Sequence, residues 1–224
     1  FFINGKKVQR NRPGLIRYVV YEYCQESMTF DDFLNIYNNV LRRTGLEGNE
    51  NFTLSRRTSI NHLAGSNSVL WSRGQRLRYY DINNIDVETF LNDINLFEYK
   101  DIEISALKIF RNCSDIMLEY DIRDEYELHN LLKKIWDLYD PNKSLDIHHK
   151  LTFGRMPILR FGQGKREKQV IELLQDNAPI ERADLAEKYE ELYGVRTGSV
   201  AANYFNCIEQ YLVGSTYSVQ WRKL

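Results

Sequence analysis

The sequence predicts a mainly α fold with short β-hairpins, built as three small tandem units packed together. Three observations predict it. The order helix, break, helix, break, helix comes round three times within the 224 residues. In the first two rounds an apolar, Arg- or Gly-punctuated pair of strand-like segments follows the helices. The junctions at Asn83-Asn84 and Gly162-Gln163-Gly164 are too short to act as free tethers, and units of this size are marginally stable alone, so packing is expected. The expected units are 1–82, 83–162 and 163–224.

Unit one opens at the turn Arg12-Pro13-Gly14, and Leu15–Glu26 carries Ile16, Val19, Val20 and Tyr23 on one helical face. Thr29 has the chemistry of an N-cap, and Asp31 and Asp32 follow where the helix dipole favours carboxylates. Phe33, Ile36, Tyr37, Val40 and Leu41 keep helical spacing until Gly45, a C-terminal stop. After the polar loop 46–51, residues 52–66 predict a shorter helix ending near Gly65, and 69–81 two strands around Ser72-Arg73-Gly74-Gln75.

In unit two the first helix is marked by Val87, Phe90, Leu91 and Ile94. The second runs from Ser105 to Tyr120 with a break near Cys113. The third spans 124–139, with Leu128, Leu131, Leu132, Ile135 and Tyr139 as a stripe, Asp124 as cap and Pro141 beyond its end. Extended segments follow over 145–162. Unit three has a helix around Val170, Leu173 and Leu174 and a short extended break at Ala178-Pro179-Ile180. Helix 181–194 is stopped by Gly194, and a third helix is capped by Thr197, with Val200, Ala201, Tyr204, Phe205 and Ile208 inward. A strand pair is expected between Tyr211 and Trp221.

A helix, a helix-turn-helix and a two-stranded wing make a winged-helix-like unit. Helices of about ten residues cannot each bury a face alone; crossed, they enclose one small core. A tetratricopeptide-type array is disfavoured, because such repeats hold a fixed period and have no hairpins.

Apolar residues form 43% and charged residues 27% of the chain, which argues against wholesale disorder. No apolar run is long enough for a membrane span and no signal peptide opens the chain, so a cytoplasmic location is expected. The first residue is Phe1, and a fragment of a longer protein is expected. Cys24, Cys113 and Cys207 are far apart and form no disulfide framework, so they read as free, buried thiols. Catalytic and cofactor motifs (GxSxG, HExxH, a P-loop, GxGxxG) do not occur, and no cysteine sits in a basic or Gly-rich context. A non-catalytic chain without cofactor is expected. No metal site is expected either: His148 and His149, adjacent in a strand, would point to opposite faces.

The net charge is −1, but it is unevenly spread. Residues 1–82 carry 12 Lys and Arg against 7 Asp and Glu, 83–162 carry 10 against 15, and 163–224 carry 8 against 9. Only the first third has the positive excess of a nucleic-acid partner.

The run APIERADLAEKYEELYGVRTGSVAANYFNCI, at 178–208, resembles the helix-turn-helix of the HARE-HTH family, which includes the N-terminal domain of the bacterial RNA polymerase delta subunit. The shared features are a Pro-Ile opening, an acidic second helix, a Gly, and a Thr- or Ser-capped third helix. Unit one, with MTFDDFLNIYNNVL, FTLSRRTSINHL and a wing, resembles the same broad kind; unit two departs in being acidic. The resemblance implies a bacterial module that recognises DNA or docks within DNA-handling or transcription machinery.

In such a motif the last helix offers its outer face to the major groove and the wing touches phosphate or the minor groove. With Ile60, Leu63 and Ala64 inward, unit one presents Ser55, Thr58, Ser59, Asn61 and His62, with Arg57 at the edge and Arg56 nearer the core. The hairpin adds Arg73, Arg76 and Arg78. Asn pairs with adenine, Ser and Thr bond bases or phosphate, and Arg supplies charge. Unit three offers Arg196, Ser199, Asn203, Asn206 and Gln210, a face with little charge. Unit two offers Tyr126, His129, Asn130, Lys133, Lys134 and Asp137 in an acidic setting that suits protein docking. The expected function is double-stranded DNA binding, mainly through helix 55–64 and wing 72–78. The alternative is a protein-interaction scaffold that docks other subunits or domains; neither reading involves a membrane.

Overall fold

The computed structural model describes residues 1–136, 138–139 and 146–218. It is a mixture of helices and small antiparallel sheets, in two compact bodies. One comprises Phe1–Asp86 and Asn130–Leu138, the other Val87–His129 and Tyr139–Leu224. Where the sequence reading divides 83–162 from 163–224, the structure joins most of both in one body. Asp137, Pro141, Leu145 and the Trp221 end of the expected last strand pair lie outside the described residues.

The first body begins with a hairpin, β1 (Phe2–Ile3) and β2 (Lys6–Lys7). Helix α1 (Arg12–Tyr23) starts earlier than its apolar spacing predicts: Asn11 caps it by accepting from Gly14 N at 2.8 Å, so Pro13 and Gly14 lie inside the first turn. Pro is at ease there because the first N–H groups have no helical acceptor. Strand β3 (Met28–Thr29) leads into α2 (Phe30–Arg43). Thr29 accepts from Asp32 N, and acidic first-turn and basic last-turn residues complement the dipole. Phe33 and Tyr37 are fully buried, each worth about 1.5–3 kcal/mol of hydrophobic stabilisation. The Tyr37 hydroxyl donates to Phe52 O at 2.8 Å, and burial pushes its pKa up to about 12. Helix α3 (Arg56–Ala64) and the hairpin β4 (Val69–Ser72) and β5 (Arg76–Tyr79) complete the unit. The sheet order is β3-β5-β4.

The second body contains α4 (Val87–Asp93), β6 (Glu103–Ser105), α5 (Ala106–Asn112), α6 (Ser114–Glu119) and α7 (Glu125–Trp136), whose residues from Asn130 on group with the first body. The break between α5 and α6 falls at Cys113. Strands β7 (Leu151–Phe153) and β8 (Ile158–Phe161) follow, in the order β6-β8-β7. Then come α8 (Arg166–Asn177), β9 (Ile180–Glu181), α9 (Arg182–Tyr193), α10 (Thr197–Asn203), β10 (Leu212–Val213) and β11 (Thr216–Tyr217), in the order β9-β11-β10.

One topology therefore recurs three times. A short strand precedes the second helix and pairs with the last strand, which also pairs with the strand between.

Within the second body the later repeat is tied to the earlier by specific polar contacts. Gln169 on α8 accepts from Glu103 N at 2.8 Å and donates to Glu103 O at 2.9 Å. Its side-chain amide pairs with edge strand β6 as another strand would, satisfying groups that burial would otherwise orphan. Lys108 donates to Glu191 O at 2.8 Å, and Arg111 reaches Glu190 at 2.8 Å. Gly194, at φ +73°, ends α9 against α5: a Cβ there would lie 2.5 Å from Lys108 N.

Several side chains lie elsewhere than expected. His129 and Asn130 are buried. His129 Nε2 meets Ile158 O at 3.2 Å in the second body, and Asn130 Oδ1 accepts from Trp71 N at 3.2 Å in the first. His148 and His149 form a 3-10 turn, not a strand, and bond Asp101 Oδ2 at 2.6 Å and Tyr99 O at 3.0 Å. Glu190, not Thr197, supplies the cap of α10, accepting from Thr197 N at 2.7 Å and Oγ1 at 2.8 Å. Ala201 is exposed. The cysteines are free, with Cys24 buried and Cys113 and Cys207 only half-buried.

Candidate nucleic-acid interface

Helix α3 holds no acidic residue and lies against α1 and β4. Ser55 caps it: its Oγ accepts from Thr58 N at 3.1 Å and sits 2.8 Å from Thr58 Oγ1. Both hydroxyls are therefore engaged locally. The helix is rotated from the expected phase. Ser59 and Leu63 are inward and fully buried, while Ile60 and Ala64 are exposed. Ser59 tolerates burial because its hydroxyl donates to Ser55 O at 2.8 Å, leaving no unsatisfied polar atom.

The rotation moves Arg57 from the edge to the middle of the outer face, one turn from Asn61. Among the described residues Arg57 has no hydrogen-bonding or charged contact, so its guanidinium is uncommitted. Arg56 is held by Asp31 at 2.6 Å and lies 4.9 Å from the centre of the Phe30 ring. Thr58 and His62 flank the face, half-buried. Asn61 and His62 also line a groove of about 510 Å³ with Pro13, Arg17, Asn67 and Asn83. No local pattern marks Arg17 or Asn83 as neighbours of α3; the packing of α1 on α3 places Arg17 there, and Ile82 N donating to Asn67 O brings in Asn83.

The hairpin tip is Arg73-Gly74-Gln75, with Gly74 at φ +77°. Arg73 is exposed. Arg76 is exposed too, but its Nη2 donates to Ser27 O at 2.6 Å and its Nε to Ser27 Oγ at 3.2 Å, so it braces β3. Arg78 corrects the sequence reading. It is only 2% exposed, with its guanidinium 5.2 Å from the Tyr80 ring centre. Strand alternation puts it beside its cross-strand neighbour Leu70, on the face opposite Leu77, and that second face is also covered. The α7 segment lies along β4, where Lys134 Nζ donates to Ser66 O and to Val69 O, the latter at 2.8 Å. Burial pushes Lys134 down to about 8.

In the second body Arg196, Ser199 and Asn203 are exposed along α10, and Asn203 donates to Ser199 O at 3.3 Å. The three residues line a cleft of about 750 Å³ whose other wall includes the β7–β8 turn. Arg196 bonds Glu125 Oε1 through Nη2 at 2.6 Å and Nε at 3.2 Å. Asn206 and Gln210 are exposed beyond the helix, in 3-10 turns.

Among the described residues no group of His, Cys, Asp and Glu could hold a metal ion, and no helix is long and apolar enough to cross a membrane. No protein-family model, curated protein or solved structure matches the chain.

Proposed function

We propose that the chain is a non-catalytic, tandem winged-helix region that binds duplex DNA through α3 and the tip of the β4–β5 hairpin. The observation that carries the reading is the outer face of α3. It is an acid-free helix on the basic third of the chain, with the uncommitted Arg57 and the exposed Asn61 one turn apart. Arg73 at the hairpin tip adds a second exposed charge for phosphate. Arg to phosphate supplies affinity and Asn to a base edge supplies discrimination. The thrice-repeated topology supports the winged-helix assignment, since each repeat has a last helix followed by a two-stranded wing. The free thiols are in keeping with a cytoplasmic setting. Arg78 drops out of the contact set; Ser55 and Thr58 act mainly by shaping the helix start.

A second reading, protein docking, is favoured by Leu118, Ile147 and Val213 of the second body, apolar side chains exposed to solvent. Fluorescence anisotropy of the intact chain on a random duplex at low salt separates the two. Binding by about 10 μM is expected of even a non-specific DNA reader, and its absence would favour docking.

A further inference from the structure

The cleft of the second body has a layered charge arrangement that duplex binding by α3 does not use. Its inner layer is two carboxylates, Glu103 and Glu125, whose side chains are 5% and 6% exposed. In front of them stand Arg160 and Arg196, with side chains 52% and 44% exposed. Each arginine is gripped along the same edge. Arg160 gives Nε at 3.0 Å and Nη2 at 2.6 Å to Glu103 Oε2. Arg196 gives Nε and Nη2 to Glu125 Oε1. Arg166 repeats the pattern with Glu167, at 3.4 and 3.2 Å, and is braced 4.8 Å from the centre of the Tyr204 ring.

Gripping one edge of a guanidinium leaves the Nη1 group to donate elsewhere. Among the described residues Arg160 and Arg196 make no hydrogen bond through Nη1, and the side chain of Arg155, on the β7–β8 turn, has no polar contact. Buried carboxylates thus hold Arg160 and Arg196 in place, while Arg166 is steadied by the exposed Glu167 and the Tyr204 ring. A preorganised guanidinium loses little freedom when it binds an anion, and planar forks suit phosphate oxygens. The volume is within the usual range for small-ligand sites.

We propose that this cleft binds the phosphate of a nucleotide-sized ligand, supplied either by a free nucleotide or by a nucleotide within a single strand. Arg155, Arg160, Arg166 and Arg196 are the donors, and Ser199 and Asn203 are neutral polar groups beside them. The site lies wholly in the second body and does not depend on α3.

The test is calorimetric titration of the full chain with inorganic phosphate, adenosine monophosphate and a short single-stranded oligonucleotide. At least one should bind at about 1 mM or below. Arg155→Ala with Arg166→Ala should weaken binding by about tenfold or more, since two of the four charged donors are lost. This pair leaves both buried carboxylates matched, so the unfolding midpoint should hold. Arg196→Lys keeps the charge and loses the fork, and should weaken binding less. Binding of phosphate or the mononucleotide identifies a free ligand as sufficient; binding of the oligonucleotide alone identifies a strand. The proposal is overturned if none of the three binds, if the double variant binds as tightly as the parent, or if Arg57→Ala with Arg73→Ala abolishes binding instead. Duplex binding in the same variants reports separately on the first body.

Discussion

Replacing Gln169 with Leu removes a side chain that pairs with the backbone of Glu103 at the edge of β6. Both contacts are short, 2.8 Å to the amide and 2.9 Å to the carbonyl, and both residues are buried. Leu fills much of the same volume, so little cavity opens and the loss is chiefly polar. Leaving a buried backbone donor or acceptor unsatisfied costs about 1–3 kcal/mol. Two such groups, partly relieved by relaxation or water entry, give an expected loss of about 2–4 kcal/mol. Gln169→Glu can still accept from the amide but turns an oxygen toward the carbonyl, so it should also destabilise. Denaturant unfolding followed by circular dichroism measures the loss, and hydrogen exchange at the Glu103 amide localises it. A loss below about 0.5 kcal/mol, the scatter of ordinary surface substitutions, or unchanged exchange at Glu103, would refute the strand-like role given to this side chain.

Gly194→Ala places a Cβ in the left-handed region and 2.5 Å from Lys108 N, so it should cost more than the roughly 1–2 kcal/mol of the backbone conformation alone; an unfolding midpoint equal to the parent's would contradict that packing. Lys134 falls from 10.5 to about 8 on folding because of burial. Between those values the unfolded chain keeps a proton that the folded chain has released, so this residue's contribution to stability rises with pH, by up to about 3 kcal/mol. The stability difference between parent and Lys134→Met should therefore grow in the parent's favour from pH 8 to 10.5; a constant difference would show that Lys134 does not titrate low. Arg78→Ala should destabilise the first body, whereas Arg73→Ala should leave its stability unchanged; equal effects would contradict their different burial.

Elements governed by local chemistry were legible in the chain. Thr29, Asp32 and Gly45 mark the ends of α2 whatever surrounds it, and the break at Cys113 follows from interrupted spacing. The phase of α3 was not legible. The helix has only nine residues and few apolar ones, and a buried serine that bonds its own backbone looks polar in sequence. Arg78 misled for the opposite reason. Alternation sets which strand face it occupies, but not that this second face is buried as well. The cleft has no sequence signature, since Arg160, Arg166 and Arg196 share it only after Gln169, Lys108 and Arg111 have tied α8 and α9 to the preceding repeat. Charge counts by thirds even concealed it: residues 83–162 are acidic overall, yet their carboxylates Glu103 and Glu125 are buried behind arginines.

The central claim is that the first body meets duplex DNA through the outer face of α3 and the hairpin tip. Its most direct measurement is the salt dependence of duplex affinity for the parent and for Arg57→Ala with Arg73→Ala. Each phosphate contact contributes a slope of about −0.9 in log K against log salt, so the double variant should lose close to two units while remaining folded. Identical slopes and affinities in parent and variant would contradict the claim, because the contacts would then lie elsewhere.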